Sequence, residues 1–294
     1  MLTYLLFRLG GLVIPWLPLG LVYWLADRGG ELGYVFAGAA RRNLQGNLRH
    51  VLGEAAGSKR LETTCRQVFR NSARNTVDML RLPCLTGEQV ERLVTVHGYE
   101  HLEAARARGK GVVLTTAHFG EMEVAAQIAG VRGLRPVVLH ERLHPQRLFD
   151  YVAGLRSRMG IQFVPIGDAS ALKLAFRTLR QNGLLGVVAD RDVTDSGRVV
   201  RFFGADARLP DGHVTLALRT GAAIVIAFCL RQPGDKVEVF VEPPIILDAT
   251  GDREADVERG MARVISVLER FIGANPEQWV YFQPVWLDSS EQRK

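Results

Sequence analysis

Beyond residue 110 the chain alternates short, β-branched apolar runs with longer stretches whose apolar residues recur at helical spacing. The runs 111–116, 136–140, 161–166, 184–189, 222–230 and 236–241 read as strands, and 145–159 and 170–181 are the clearest helices between them. In 257–271, Val257, Met261, Val264, Ile265, Leu268 and Phe271 share one face, as on a helix packed against a core. This alternation predicts an α/β fold, a largely parallel central sheet flanked by helices on both faces. Ligands of such sheets gather beyond the carboxyl ends of the strands. His118, Glu141 and Asp190 each follow a predicted strand end, which places the three on one rim.

The N-terminal pattern is different. Residues 9–26 carry no charge and are flanked by Arg8 and by Asp27 and Arg28, but Pro15 and Pro18 interrupt the run. Its length only just reaches what a bilayer-spanning helix needs, and proline breaks helical hydrogen bonding. The expectation is a helical segment over residues 1–50 that lies in or dips into the cytoplasmic leaflet rather than crossing it, ahead of an α/β domain over 51–294. Trp16, Tyr23 and Trp24 suit a membrane interface, and Arg8, Arg28, Arg41, Arg42 and Arg49 suit anionic headgroups. Core helices covering the sheet would give the same pattern.

Composition adds three constraints. With 294 residues, 47% of them hydrophobic, the chain could hold one large α/β domain or two small ones, and no Pro/Ser-rich linker or internal repeat marks a division. A net charge of +6 and a pI near 9.5 favour anionic partners: membrane phospholipid, an acidic carrier protein or a phosphorylated donor. No RNA-binding signature or basic stripe with interleaved aromatics is present, so nucleic acid is not an expected partner. Cys65, Cys84 and Cys229 are odd in number and scattered, which argues against a disulfide framework or a cysteine-rich zinc site.

The candidate chemistry centres on His118 and Glu123, at the junction where the strand 111–116 gives way to helix-forming residues 121–129. On one continuous helix, residues five apart point about 140° away from each other. With His118 on the loop and Glu123 in the first helical turn, the carboxylate can reach back to one ring nitrogen. That contact would fix the tautomer and leave the other nitrogen to take a proton from a hydroxyl. The helix start would offer N–H groups to a developing oxyanion, with Phe119 and Gly120 as the nearest. A histidine that merely caps a strand-to-helix turn would have the same spacing.

Further blocks narrow the choice. The segments Arg41-Arg42-Asn43-Leu44 with Asn47-Leu48, Thr115 through Glu123, Glu141-Arg142-Leu143-His144-Pro145, Arg156 through Gly160, Ala189-Asp190-Arg191-Asp192, Phe202-Phe203-Gly204, and Pro276-Glu277-Gln278-Trp279 occur in an order and spacing that resembles the bacterial lipid A acyltransferases. The chain looks closer still to their relatives, the phosphatidylinositol mannoside acyltransferases. The resemblance implies a glycerolipid-acyltransferase-like fold on the cytoplasmic face of the inner membrane, peripheral or single-pass, and transfer of a fatty acyl chain from acyl-CoA or acyl carrier protein to a glycolipid hydroxyl. It implies His118 as base with Glu123 as its partner, and no cofactor beyond the thioester co-substrate. It also implies that Glu141, Arg142, Arg156 and Arg158 line the substrate pocket, and the paired acids of Asp190-Arg191-Asp192 suit the binding of sugar hydroxyls or the orientation of a second arginine. After Trp279 the lipid A enzymes tend to carry basic residues, whereas this chain continues Val280-Tyr281-Phe282-Gln283, which leaves the acceptor open.

Two alternatives follow from the same residues. His140-Glu141-Arg142-Leu143-His144 matches the pattern of zinc peptidases, which needs both histidines on one helix. A strand-like run precedes it and Pro145 follows, which opposes that geometry. The other alternative is a non-catalytic lipid-binding protein of the same fold. Arg198, Arg201 and Arg208 form a basic loop after Asp192 that suits phosphate groups.

Overall fold

The computed structural model describes residues 2–53, 56–167, 169–193 and 196–287. Four helices come first: α1 (Leu2–Val13), α2 (Leu19–Phe36), α3 (Gly38–Leu52) and α4 (Ser58–Arg81). Then follow α5 (Gly87–Leu93), β1 (Val94–His97), α6 (Tyr99–Ala107), β2 (Val112–Thr116), α7 (Met122–Val131), β3 (Val137–His140), α8 (Gln146–Arg156), β4 (Gln162–Pro165) and α9 (Ala169–Arg180). The chain continues through β5 (Leu184–Val188), β6 (Arg198–Phe202), β7 (Ala205–Leu209), α10 (Gly212–Thr220), β8 (Ala223–Arg231), β9 (Val237–Val241) and α11 (Arg253–Ala274).

Seven strands form one sheet in the order β1-β9-β8-β2-β5-β3-β4, parallel throughout except where β8 meets β9. Successive residues of a strand face opposite sides, and the core divides accordingly. Val113, Leu185, Ile224 and Ile226 pack with α9, α10 and α11, while Val112, Leu184 and Val225 pack with residues of α4 to α8. All six strands read from the sequence are present, and helices cover both faces. β1 was not anticipated, nor was the antiparallel β6–β7 pair.

The expected basic phosphate loop is this hairpin, and its guanidinium groups have protein partners. Arg198 pairs with Glu254 and lies 3.6 Å from Asp211, Arg201 pairs with Asp206 at 3.0 Å, and Arg208 donates to the Gly197 carbonyl at 3.1 Å.

Pro15 and Pro18 divide the uncharged N-terminal run into the end of α1, a tight turn (Ile14–Trp16) and α2. Among the described residues no helix is long and apolar enough to cross a membrane. α1 and α2 pack on α4, yet they leave Leu6, Leu9, Leu12, Trp16, Trp24 and Phe36 exposed, Trp16 by 87% and Phe36 by 80%. Tyr23, expected at a membrane interface, instead turns inward, and its hydroxyl donates to Asp78 at 2.7 Å.

Candidate active site

Parallel pairing of β2 with β5 sets Thr116 beside Val188. Two residues beyond each, His118 and Asp190 leave the sheet side by side. The ring Nδ1 of His118 lies 2.9 Å from Oδ1 of Asp190, and the backbone N–H of His118 donates to Oδ2 at 2.9 Å. Trp279 Nε1 donates to the same Oδ2 at 2.8 Å. Asp190 is buried, which alone would raise its pKa. The neighbouring His118 and the three hydrogen bonds outweigh that and hold it below the ordinary aspartate value. An ionised carboxylate only accepts, so Nδ1 is the donor in this contact, and in the neutral ring the lone pair lies on Nε2. Nε2 has no hydrogen-bond partner among the described residues, and the His118 side chain is 30% exposed.

Glu123 does not reach His118. Its carboxylate receives Nε and Nη2 of Arg156, with Nε at 2.8 Å from Oε2, at the end of α8. The expected His118–Glu123 contact is therefore replaced by two neighbouring pairs, His118 with Asp190 and Glu123 with Arg156. The guanidinium offers Glu123 a bidentate partner, and the strand register gives His118 a different acid, Asp190.

The start of α7 is also occupied differently from expectation. Glu121 is the N-cap, and its buried carboxylate accepts from the N–H groups of Glu123, Val124 and Ala125. Burial and the nearby Asp78 push the Glu121 pKa up to about 8, against the pull of Arg231. The Gly120 N–H donates to the Gln278 carbonyl at 2.7 Å, so it is not available to an oxyanion. Phe119 has its side chain in the core, edge-on to Phe228. The bridge between Phe119 and Trp279 uses the Val280 N–H and the His118 carbonyl, and leaves the Phe119 N–H outside it.

The remaining expected residues fall around this centre. Glu141 and Arg191 form a salt bridge at 2.7 Å across the rim, joining the ends of β3 and β5. Asp192 accepts the Gly197 N–H at 2.6 Å and so closes the turn into β6. Arg142 is exposed and extends over the Phe149 ring, and Arg158 is exposed on the turn after α8. Neither joins the pairs at His118. The zinc pattern does not form its helix: His140 is the last residue of β3, stacked on Phe149, and His144 lies on a loop before α8. Among the described residues no group of three His, Cys, Asp or Glu is placed to hold a metal. A surface groove of about 530 Å³ runs along α9 past Lys173, Arg177 and Arg180.

Two groups that organise the site were missed. One is Trp279, a buried indole whose only donor must find an acceptor; the sequence contained it within the Pro276–Trp279 block without showing what it faced. The other is a buried network behind the loop. Arg231 donates to Asp78 and Asn75, each at 2.6 Å, and Asn75 donates to the Gly120 carbonyl at 2.7 Å. The Gln278 side chain brackets the Arg231 backbone, accepting from its N–H at 2.8 Å and donating to its carbonyl at 3.0 Å.

The fold is thus a largely parallel α/β sheet whose rim carries a histidine paired with a buried acid. The chain matches the model of the bacterial lipid A biosynthesis acyltransferase family over residues 1–288 and belongs to that family; it is an acyltransferase. It is 30% identical over 260 residues to the phosphatidylinositol mannoside acyltransferase of Mycobacterium tuberculosis, covering 85% of this chain and 79% of the relative. The corresponding protein of Mycolicibacterium smegmatis is 28% identical over 268 residues, covering 89% and 84% of the two chains. The lipid A biosynthesis palmitoleoyltransferase of Escherichia coli is 22% identical over 196 residues, covering 66% and 61%.

Proposed function

We propose that this acyltransferase moves a fatty acyl chain from acyl-CoA or acyl carrier protein to a hydroxyl of a membrane glycolipid, with His118 as general base and Asp190 as its partner. The observation that supports this best is the 2.9 Å contact between His118 Nδ1 and Asp190, which leaves Nε2 free on an accessible ring. Nε2 takes the acceptor's hydroxyl proton while the oxygen attacks the thioester carbonyl. The resulting tetrahedral oxyanion collapses, the carbon–sulfur bond breaks, and the imidazolium returns its proton to the departing thiolate. Asp190 compensates the ring charge in between. Arg156, held by Glu123, is the group proposed for the oxyanion. Glu123 thereby becomes a positioning residue for Arg156. These steps use no metal and form no acyl-enzyme.

The resemblance to phosphatidylinositol mannoside acyltransferases favours a sugar hydroxyl of a mannosylated phosphatidylinositol as the acceptor, with a lipid A precursor as the other candidate. The exposed apolar residues of α1, the turn after it and α2 are proposed to seat the enzyme on the cytoplasmic face of the membrane without crossing it. Thiol release and product formation from palmitoyl-CoA and phosphatidylinositol mannoside test the assignment. His118→Ala is expected to lower transfer on the order of a thousandfold while circular dichroism stays unchanged. A folded variant that retains transfer would refute it.

A further inference from the structure

Tyr281 follows the Trp279 that orients Asp190, and the fold fixes it from several sides. The Val280 N–H donates to the His118 carbonyl at 2.8 Å, which ties this segment to the histidine loop. From α3, Asn43 donates to the Phe282 carbonyl at 3.1 Å and Asn47 to the Gln283 carbonyl at 2.7 Å. The Tyr281 ring lies parallel to Trp279, 5.7 Å away, and its centroid is 5.7 Å from that of His118. The residue is only 7% exposed.

A ring placed so firmly would be served equally well by phenylalanine unless its hydroxyl has a task. That hydroxyl makes no hydrogen bond among the described residues. It stands in the field of Asp190, Arg191, Glu141 and Asp192, which are the rim residues around His118. Burial and the carboxylates push its pKa well above the ordinary tyrosine value, so it is a neutral donor. The hydroxyl is not among the buried polar atoms sealed off from solvent, so a substrate oxygen can take the place of water on it without displacing a protein partner.

We propose that Tyr281 determines acceptor specificity: its O–H donates to one oxygen of the glycolipid sugar and so presents a neighbouring hydroxyl to Nε2 of His118. The ligand class is a polyol ring with adjacent oxygens, one held and one reacting. The proposal rests on the reading of this chain as a glycolipid acyltransferase.

The test compares wild type with Tyr281→Phe, using palmitoyl-CoA and a mannosylated phosphatidylinositol in mixed micelles, with a lipid A precursor as second acceptor. The acceptor KM is expected to rise roughly tenfold, the worth of one neutral hydrogen bond, while the donor KM stays unchanged. The thermal midpoint should not move, because the hydroxyl bonds nothing within the protein. An unchanged acceptor KM, an equal loss with both substrates, or a destabilised variant would each overturn the role given to Tyr281. If wild type acylates neither glycolipid, the underlying functional reading fails first and takes this one with it.

Discussion

Asp190 serves three donors with two oxygens, and each has a separate consequence. The contact from Nδ1 selects the tautomer, the His118 N–H fixes the loop, and Trp279 holds the carboxylate in plane. Trp279→Phe removes only the last of these, and a hydrogen bond to a charged group is worth about 1.5 to 3 kcal/mol. The variant is expected to lose roughly tenfold or more in kcat, with the acceptor KM little altered; an unchanged kcat would show that the indole has no hold on the reaction. The sequence placed His118 on the rim and paired it with Glu123, whereas in the structure Glu123 binds Arg156 and His118 contacts Asp190. Glu123 is five residues away and visible, whereas Asp190 is 72 residues away and becomes a neighbour only through the β2–β5 register. Had that pairing been known, the equal two-residue offset from Thr116 and Val188 would have matched His118 with Asp190.

At the scale of elements, the turn from β2 into α7 depends on Gly120. Its φ is +63°, and a Cβ there would lie 1.5 Å from the Cys229 carbonyl oxygen, a backbone atom of β8 that cannot swing aside. Gly120→Ala should therefore cost more than about 2 kcal/mol, read as a lower urea midpoint, and a variant as stable as wild type would contradict the packing of this turn. The N-terminal helices support a second expectation. Replacing exposed Trp16 and Phe36 by glutamate should reduce cosedimentation with anionic vesicles several-fold and leave the thermal midpoint within about 1 °C. Undiminished vesicle binding would place the membrane contact elsewhere. Pro15 and Pro18 made the break between α1 and α2 legible in advance, but the inward turn of Tyr23 was not, because Asp78 lies 55 residues further along.

At the scale of the molecule, short continuous runs of β-branched apolar residues were enough to predict the parallel sheet, since strands buried on both faces carry little else. The β6–β7 hairpin escaped for the opposite reason: Arg198, Arg201, Asp206 and Arg208 interrupt its two short strands, mask the apolar run and read as a charged loop. Several charges are paired across elements. Arg66 and Arg70 share Glu31, Arg74 pairs with Asp27, and Arg231 is buried with Asp78. The acid response should come partly from His213, whose buried ring has an unpartnered Nε2 and a pKa lowered by burial to about 4. Its ordinary value is 6.5, so between pH 6.5 and about 4 the unfolded chain binds a proton that the folded chain refuses. Stability must fall as pH drops through that window. In His213→Gln the decline should be shallower, as measured by urea midpoints at pH 7 and pH 5, and an equally steep decline would remove His213 from the explanation.

The pairing of His118 with Asp190 can be tested by a double-mutant cycle on acyl transfer. Two residues that act as one unit give strongly non-additive losses. Asp190→Asn should lower kcat/KM by about a hundredfold or more in a folded protein, and adding it to His118→Ala should cost little further. Losses that simply multiply, or an Asp190→Asn enzyme that works at the wild-type rate, would contradict the pairing.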